Sequence, residues 1–282
     1  MSTQVVNEEM LSILKYVINE GTTDKSGKVR PKYNDGVPAY TKFVTQDFCK
    51  YSLQGNRFYL PNIIHVPVIT GIREIRWIYQ LQSNSLTDAR SIGVHWWDSW
   101  DVGDGTIGHR YGFIVKKFNL IDNLLRGLRD NPFGRRHIMD LYDQSEFDKP
   151  GLHPCAFLSL WSVREVHGEL FLDMTLVHRS QDYLVASFIN KSQYAALQMM
   201  IAHSLGMRVG NFSHLTQNLH IYDRHEETAE RLLSKGSSTG SIYMQMKKDI
   251  PRKSFFDYSE KDFEVVNENN LPLEKLGLEV AI

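Results

Sequence analysis

The chain has 282 residues and a near-even balance of 32 basic and 33 acidic side chains, which gives a formal net charge of −1. This balance excludes a general electrostatic attraction to nucleic acid or to an anionic membrane, and no partner of either kind is expected. Because it has no run of eighteen apolar residues and no linker rich in glycine, serine or proline, residues 1–282 are predicted to form one domain that does not span a membrane.

The first predicted elements are two helices separated by a loop. Apolar residues recur at a helical period in residues 5–18 and again in residues 69–81, where Glu74 lies among apolar neighbours. Residues 27–41 are polar and rich in turn formers, with Arg30 near their start, which predicts a surface loop. A carboxylate on an apolar helix face is uncommon unless it is paired or functional, so Glu74 is a candidate site residue.

The rest of the chain predicts two more helices and a pair of strands. A short helix is predicted at residues 120–128, and apolar residues alternate in residues 157–177 on either side of a reversal near Gly168. Residues 192–205 form the most apolar helical pattern, which predicts a buried central helix. Residues 236–240 are rich in glycine and serine and predict a short flexible surface loop.

Cys155 is the strongest candidate nucleophile. It follows a proline, and an alternating segment separates it from the run Arg179-Ser180-Gln181-Asp182 and then Asn190. A thiol reacts as its thiolate, and a nearby guanidinium lowers its pKa. A cysteine ahead of an apolar run is otherwise most often a small buried hydrophobic residue. A reactive thiol needs a reducing compartment, so a cytoplasmic location is expected, although Cys49 and Cys155 could in principle form one disulfide.

The order of these motifs resembles that of the thymidylate synthase family over most of the chain. The blocks that carry the resemblance are Glu74-Ile75-Arg76-Trp77-Ile78, Trp97-Asp98-Ser99-Trp100, residues 104–112, Arg135-Arg136-His137, Pro154-Cys155, Arg179-Ser180-Gln181-Asp182, Asn190, His220-Ile221-Tyr222 and Val280-Ala281-Ile282. Several separate motifs in the right order form a specific signal, unlike one short pattern.

The resemblance implies both a fold and a reaction. The fold is α+β, a single domain in which a large mixed or antiparallel sheet packs with helices around one buried central helix, and one sheet face is used for dimerisation. The reaction converts dUMP and 5,10-methylenetetrahydrofolate to dTMP and dihydrofolate through a cysteine thiolate adduct at C6 of the pyrimidine. The implied partners are therefore dUMP, the folate and a second copy of the chain.

The resemblance also assigns roles to residues. The implied catalytic residues are Cys155, Glu74, Tyr111, Arg179 and Asn190. The implied substrate-binding residues are Arg30, Arg135, Arg136, Arg179, Ser180, Asp182, Asn190, His220 and Tyr222, with Arg135 and Arg136 reaching the neighbouring subunit's site. The implied folate contacts are Trp97, Trp100, Leu152, Asp182, Ala186 and Ala281, and no metal is implied.

Elementary chemistry agrees with several of these roles. Guanidinium groups match phosphate oxygens well, although an Arg-Arg pair taken alone is more often a solvated surface. The Asn190 amide offers the donor and acceptor that uracil O4 and N3–H require, although this residue could instead cap the following helix. Burial of Glu74 would raise its pKa toward the range useful for proton transfer.

Some positions depart from the family pattern, mostly on the folate side. Residues 63–66 stand where the family usually has a turn that carries lysine, and Ala186 stands where it has a glycine. Ala156 stands where a polar residue is common, and Asn218 stands where aspartate is frequent. An added methyl group at a tight ring site costs about 1–3 kcal/mol if nothing shifts. These changes leave substrate activation intact but touch the folate site.

Two other functions stay open at this point. A deoxyuridylate hydroxymethylase forms the same methylene group at C5 and adds water instead of hydride; the segment around Ala186 favours it, whereas Trp97 and Ala281-Ile282 favour a closed site and hydride transfer. A chain without activity could also persist as a nucleotide-binding module. Retention of Cys155, Arg179, Asp182 and Asn190 together argues against that reading, and the net charge gives RNA binding no support.

Overall fold

The computed structural model describes residues 1–237 and 239–282, so Ser238 of the loop predicted at residues 236–240 lies outside the described residues. The helices are α1 (Thr3–Glu20), α2 (Val68–Ile75), α3 (Leu86–Ser91), α4 (Gly112–Lys117), α5 (Leu120–Asp130), α6 (Ser187–Ser204) and α7 (Glu226–Lys235). The strands are β1 (Thr22–Asp24), β2 (Thr41–Ser52), β3 (Arg57–Tyr59), β4 (Ile138–Asp140), β5 (Ala156–Val166), β6 (Glu169–His178), β7 (Gln181–Asp182), β8 (Arg208–Tyr222), β9 (Ile242–Met246) and β10 (Phe263–Asn267).

The main sheet is large and mixed. Within the described residues it has the strand order β1-β2-β8-β6-β5-β4, and the short strand β7 also pairs with β8. Strand β8 is antiparallel to β2 but parallel to β6. A smaller antiparallel sheet has the order β10-β9-β3. The α+β class with a large mixed sheet is thus confirmed.

Helix α6 is the buried central helix that the apolar pattern predicted, although it begins at Ser187 rather than at residue 192. It packs against α2 on one side and against β6 and β8 on the other, so nearly all its side chains are buried. One of its buried polar groups, Gln198 Nε2, donates to the carbonyls of Leu172 and Asn211 at 2.7 and 3.0 Å. At Gln198 the helix is therefore hydrogen-bonded to both β6 and β8.

Most of the other predicted elements are present. The pattern at residues 5–18 corresponds to α1, residues 120–128 to α5, and the strand pair to β5 and β6, which reverse at Gly168. The pattern at residues 69–81 corresponds to α2 followed by a π-helical turn, Arg76–Gln80. No helix among the described residues combines the length and the apolarity that crossing a bilayer requires.

Strands β2 and β8 contribute the longest pairing in the sheet, and the sequence patterns did not reveal them. Gln46 of β2 has a positive φ of 63°, and it does not pair with Gln217 of β8. At this point the buried positions of each strand switch between even and odd residue numbers. The switch lies between Val44 and Cys49 on β2 and between Thr216 and Leu219 on β8. Neither strand keeps the simple alternation by which a strand is recognised.

Candidate active site

Cys155 lies in the turn that enters β5, beside Arg179 just after β6. Arg179 Nη2 lies 3.6 Å from Cys155 Sγ, and the same guanidinium donates to the carbonyls of Pro154 at 3.0 Å and His153 at 2.7 Å. The antiparallel pairing of β5 with β6 brings the two segments together. A permanent positive charge therefore lies next to the thiol.

The backbone of Cys155 is held from two sides. Its N–H donates to Tyr111 Oη at 3.1 Å, and its carbonyl accepts from the Arg179 N–H at 3.0 Å. Tyr111 has a positive φ of 47°, a conformation that costs a non-glycine residue about 1–3 kcal/mol. The next residue, Gly112, has no room for a side chain, because a Cβ there would lie 2.1 Å from Ser83 O. The strained conformation places the Tyr111 hydroxyl at the turn that carries the thiol.

Burial and charge act on the thiol in opposite directions. Burial raises the pKa of Cys155, whereas the positive charges of Arg179 and Arg30 lower it. Arg135 and Arg136 are exposed and are not among the charges that shift this pKa. The structure thus brings Arg179 and Arg30 to the thiol, but it does not bring the Arg135-Arg136 pair there within one chain.

Glu74 is a buried carboxyl group on the inner face of α2. It is 7% exposed, and Trp96 Nε1 donates to its Oε2 at 2.5 Å. Burial raises the pKa of Glu74 to about 7, and hydrogen bonding from Trp97, Trp96 and Gln193 partly offsets that rise. Glu74 can therefore hold or release a proton near neutral pH.

Asn190 lies in the first turn of α6 within a chain of amides. Its Nδ2 donates to Gln193 Oε1 at 2.9 Å, and its Oδ1 accepts from Gln181 Nε2 at 3.4 Å. The residue that caps α6 is Ala186, so the alternative in which Asn190 caps this helix is wrong. The amide is part of a polar network instead.

Asp182 ends the short strand β7 close to the start of α6. Burial raises the pKa of Asp182 to about 7, while the backbone N–H groups of Val185 and Leu184 oppose that rise. The Val185 N–H donates to Asp182 Oδ1 at 3.2 Å. Burial raises the pKa of Tyr222, the charges of Asp182 and Cys155 raise it further, and Arg30 lowers it. Asp182, Cys155, Tyr222 and Arg30 therefore lie near one another.

An aromatic wall borders the site. The ring of Trp97 lies 5.2 Å from that of Tyr111 and 5.4 Å from that of Trp100, centroid to centroid. Trp97 is buried and Trp100 is half-buried, so the pair extends from the core toward the surface. Leu152, Ser180 and Ala186 are half-buried around the Cys155 turn and the start of α6.

His220 is a neutral histidine near the end of β8. Burial lowers its pKa to about 4. Its Nδ1 lies 2.9 Å from Asn218 Oδ1, which can only accept a hydrogen bond, so Nδ1 carries the proton and Nε2 is an acceptor. Asn218, which stands where the family frequently has aspartate, therefore sets the tautomer of His220.

The last residues of the chain pack onto the loop that carries Arg30. Ile282 O accepts from the Lys32 N–H at 2.8 Å, and the Ile282 N–H donates to Lys32 O at 2.9 Å. Ala281 is 8% exposed and packs in a small cluster with Tyr33, Ala39 and the ring of Tyr222. The loop predicted at residues 27–41 is thus partly buried, because the terminal segment covers it.

Residues 63–66, which replace the turn that usually carries lysine in the family, border an apolar groove of about 320 Å³. The side chains of Ile64, Val66 and Val68 contribute to its walls. His65 also lies there, and burial lowers its pKa. The groove therefore offers no permanent positive charge along residues 63–66.

Sequence patterns did not single out Trp96, Gln181 or Gln193. All three hydrogen-bond with predicted site residues, Trp96 with Glu74 and the two glutamines with Asn190. Gln193 follows Asn190 by three positions on α6, a spacing that places two side chains on the same helix face. That spacing was the one sequence signal available for this contact.

Comparisons with known proteins agree with the resemblance in the motifs. A family model described as thymidylate synthase matches residues 8–282. Thymidylate synthase of Streptococcus suis (strain 05ZYH33) is 43% identical over 260 residues, which cover 91% of this chain and 92% of that protein. Thymidylate synthase of Streptococcus pneumoniae (strain ATCC 700669 / Spain 23F-1) is 43% identical over 258 residues, 90% of this chain and 91% of that one. The solved structure of thermostable thymidylate synthase A from Bacillus subtilis is similar with a TM-score of 0.84 and 32% identity, covering 98% of this chain and 99% of that chain.

Proposed function

The chain belongs to the thymidylate synthase family, and on this premise we propose that residues 1–282 form one catalytic domain that methylates dUMP to dTMP, with 5,10-methylenetetrahydrofolate as co-substrate. The observation that carries the proposal is the position of Arg179 Nη2, 3.6 Å from a Cys155 thiol whose backbone is held on both sides. The turn at Cys155 therefore holds the nucleophile in a fixed orientation and places it beside a positive charge.

Cys155 acts first, by adding its thiolate to C6 of the uracil ring. C5 of uracil is a poor nucleophile, and the addition creates an enolate that makes C5 nucleophilic. The charges of Arg179 and Arg30 favour the thiolate against the effect of burial. Arg30, Arg179 and Ser180 would also bind the substrate phosphate, because guanidinium groups and hydroxyls donate to phosphate oxygens.

Asn190 and Glu74 would act at the pyrimidine carbonyl. Asn190 presents an amide to O4 and N3–H of uracil, where negative charge gathers after the thiolate adds. Glu74, with its pKa raised to about 7, would accept and donate protons near C5 and O4. Tyr111 would take part in the same proton network. His220 Nε2 is an acceptor and can bind the sugar 3'-hydroxyl, with Tyr222 beside it.

The folate would bind against the aromatic wall. Trp97 and Trp100 offer flat apolar surface, Leu152 and Ala186 lie at its edge, and Asp182 can accept hydrogen bonds from a pterin when ionised. The co-substrate supplies the one-carbon unit. Ala281 and the residues around it would exclude water from the reaction, because they already pack against the Arg30 loop.

A homodimer completes the proposal. Arg135 and Arg136 are exposed, and they do not shift the pKa of the thiol of their own chain. We assign them to the phosphate site of the neighbouring subunit. The main sheet also exposes large apolar side chains, among them Phe48 at 58% and Leu160 at 38%, which a second subunit would cover. Both cysteines are free, which supports a reducing, cytoplasmic location.

The proposal is tested by incubating the protein with dUMP and 5,10-methylenetetrahydrofolate and identifying both products. We expect dTMP together with dihydrofolate, because buried Trp97 and the packed terminal segment exclude the water that would add instead. Release of 5-hydroxymethyl-dUMP with tetrahydrofolate would identify a hydroxymethylase and direct attention to Ala186. Absence of any nucleotide product would contradict both enzymes.

A further inference from the structure

Gln193 lies between two groups that the proposed reaction needs at the pyrimidine ring. Its Oε1 accepts from Asn190 Nδ2 at 2.9 Å, and its amide is close enough to Glu74 to lower the pKa of that carboxyl group. The residue is 2% exposed, and Nε2 has no partner in good hydrogen-bond geometry among the described residues. A buried donor in this state is available to the nearby carboxylate or to a bound ligand.

The backbone around Gln193 leaves a defined place for its side chain. Helix α2 crosses α6 at Gly71, where an added Cβ would lie 3.0 Å from Gln193 Cγ. Because glycine stands at this crossing, the Gln193 side chain can pass between the helices toward Glu74, which lies on the same helix as Gly71. The packing of two helices, and not a flexible loop, thus positions the amide.

An asparagine alone does not distinguish uracil from cytosine. Uracil presents N3–H as a donor and O4 as an acceptor, whereas cytosine presents N3 as an acceptor and its amino group as a donor. An amide satisfies either pattern, because a rotation of 180° about its last bond exchanges donor and acceptor. The specificity of Asn190 therefore depends on whatever fixes that rotation.

The neighbours of Asn190 hold its amide in one orientation. Gln193 Oε1 is an acceptor, so the Asn190 Nδ2 donor must face it. Gln181 Nε2 is a donor, so Asn190 Oδ1 must face that residue. Rotation of the Asn190 amide would place two donors together at Gln181 and two acceptors together at Gln193. Gln193 Nε2 can in turn donate to Glu74 when that carboxyl group is ionised, because a carboxylate accepts but does not donate.

We propose that Gln193 is the positioning residue that makes this site specific for uracil, by holding the Asn190 amide with Nδ2 toward Gln193 and so available to O4. This inference rests on the proposed function, because it concerns the nucleotide bound at that site. It adds a specificity-determining residue that does not itself need to touch the substrate.

The test compares binding of dUMP and dCMP to three variants of the full-length protein. Gln193→Met keeps the size of the side chain but removes its acceptor, so the preference for dUMP should fall by roughly tenfold, as expected for one lost hydrogen bond at a buried site. Gln193→Glu keeps an acceptor for Asn190 Nδ2, so it should retain most of the preference. Its added negative charge should also raise the pKa of Glu74 and move the pH profile of turnover to higher pH.

Gln198→Met is the matched control. Gln198 is a buried glutamine on the same helix, but it donates to backbone carbonyls of the sheet and not to a site residue. This variant should lose thermal stability while keeping the preference for dUMP. Calorimetric titration with each nucleotide gives the ratio of the two dissociation constants without requiring turnover.

The outcomes separate the inference from the function on which it rests. A wild-type protein that binds neither nucleotide would contradict the proposed function itself. A wild-type protein that prefers dUMP, with the preference unchanged in folded Gln193→Met, would overturn only the role of Gln193. Equal loss of preference in Gln193→Glu and Gln193→Met would also overturn it, because the first variant keeps the acceptor.

Discussion

Arg179 binds the turn of Cys155 with both its side chain and its backbone. The guanidinium donates to the carbonyls of His153 and Pro154, and the Arg179 N–H donates to Cys155 O at 3.0 Å. The guanidinium cannot move away from the thiol without breaking hydrogen bonds to the residues that position it. Nucleophile and charge partner therefore form one structural unit, and changes at either residue should affect both reactivity and position.

The first prediction concerns the nucleophile. Cys155→Ser should fold and still bind dUMP, but turnover should fall by several orders of magnitude, because a neutral hydroxyl is a far weaker nucleophile than a thiolate. Steady-state kinetics gives the turnover, and mass spectrometry of the wild type with 5-fluoro-dUMP and the folate should place the covalent label on Cys155. Cys49→Ser is the control, because Cys49 is a buried free thiol on β2 and should not take up label. Near-normal turnover of Cys155→Ser would refute the assignment.

The second prediction concerns Glu74 and pH. Its folded-state pKa of about 7 lies above the ordinary value of 4.5, so its protonation stabilises the fold below pH 4.5, and that contribution is lost as pH rises through 7. Glu74→Gln removes this dependence. It should therefore gain stability relative to the wild type by up to about 3 kcal/mol between pH 4.5 and 8, measured by denaturant unfolding. Turnover should fall by a factor of about 10² to 10⁴.

Glu146→Gln serves as a control of opposite sign. Lys117, Lys149 and His109 lower the pKa of Glu146, so its ionised form stabilises the fold above the ordinary pKa of 4.5. This variant should lose stability relative to the wild type at neutral pH, and the difference should shrink in acid. If both variants changed stability in the same direction with pH, the assigned shift at Glu74 would be wrong.

The third prediction concerns the dimer. A chain with Arg136→Ala and a chain with Cys155→Ala should each be inactive. In their heterodimer, one site would combine an intact Cys155 with an intact Arg136 from the other subunit, so activity should return to roughly half of the wild-type value. Co-expression with two different tags isolates the heterodimer for the assay. An isolated heterodimer without activity would place Arg136 in the site of its own subunit, whereas an active Arg136→Ala homodimer would place it outside any site.

The fourth prediction concerns the tautomer of His220. Asn218→Asp places a carboxylate against Nδ1, so the pKa of His220 should rise from about 4 toward the ordinary value of 6.5. The wild-type His220 contributes stability above pH 6.5 that is lost as pH falls through 4, and the variant should lose less of it. A proton NMR titration of the imidazole gives the pKa directly. His203, which hydrogen-bonds to Tyr258, should titrate unchanged in the same spectra.

Sequence patterns anticipated the contacts that depend on local order. The proximity of Cys155 to Arg179 follows from a hairpin whose two strands alternate visibly, and the burial of Glu74 follows from the apolar face of α2. The pairing of β2 with β8 could not be read in this way, because both strands change parity at Gln46 and Gln217. Local periodicity contains no information about which distant segments will pair.

The amide network around Asn190 was also beyond the reach of the sequence. Gln181 and Gln193 belong to different elements, and both are types that usually lie on the surface. Their role depends on the direction in which each amide points, which only the packing of α2, α6 and the sheet determines. The sequence could propose Asn190 as a site residue, but not what orients it.

The position of β8 in the sheet also has a consequence for how the protein folds. It lies between β2 and β6, so that Thr41 pairs with Tyr222 and Phe171 pairs with Arg208. Pairing segments so far apart in sequence must overcome a large loop-closure entropy, which slows folding. Until residues 208–222 have left the ribosome, β2 and β6 keep open edges on which other chains can add. A cell that makes this protein therefore has to shield an unfinished sheet for most of the time that the chain is being translated.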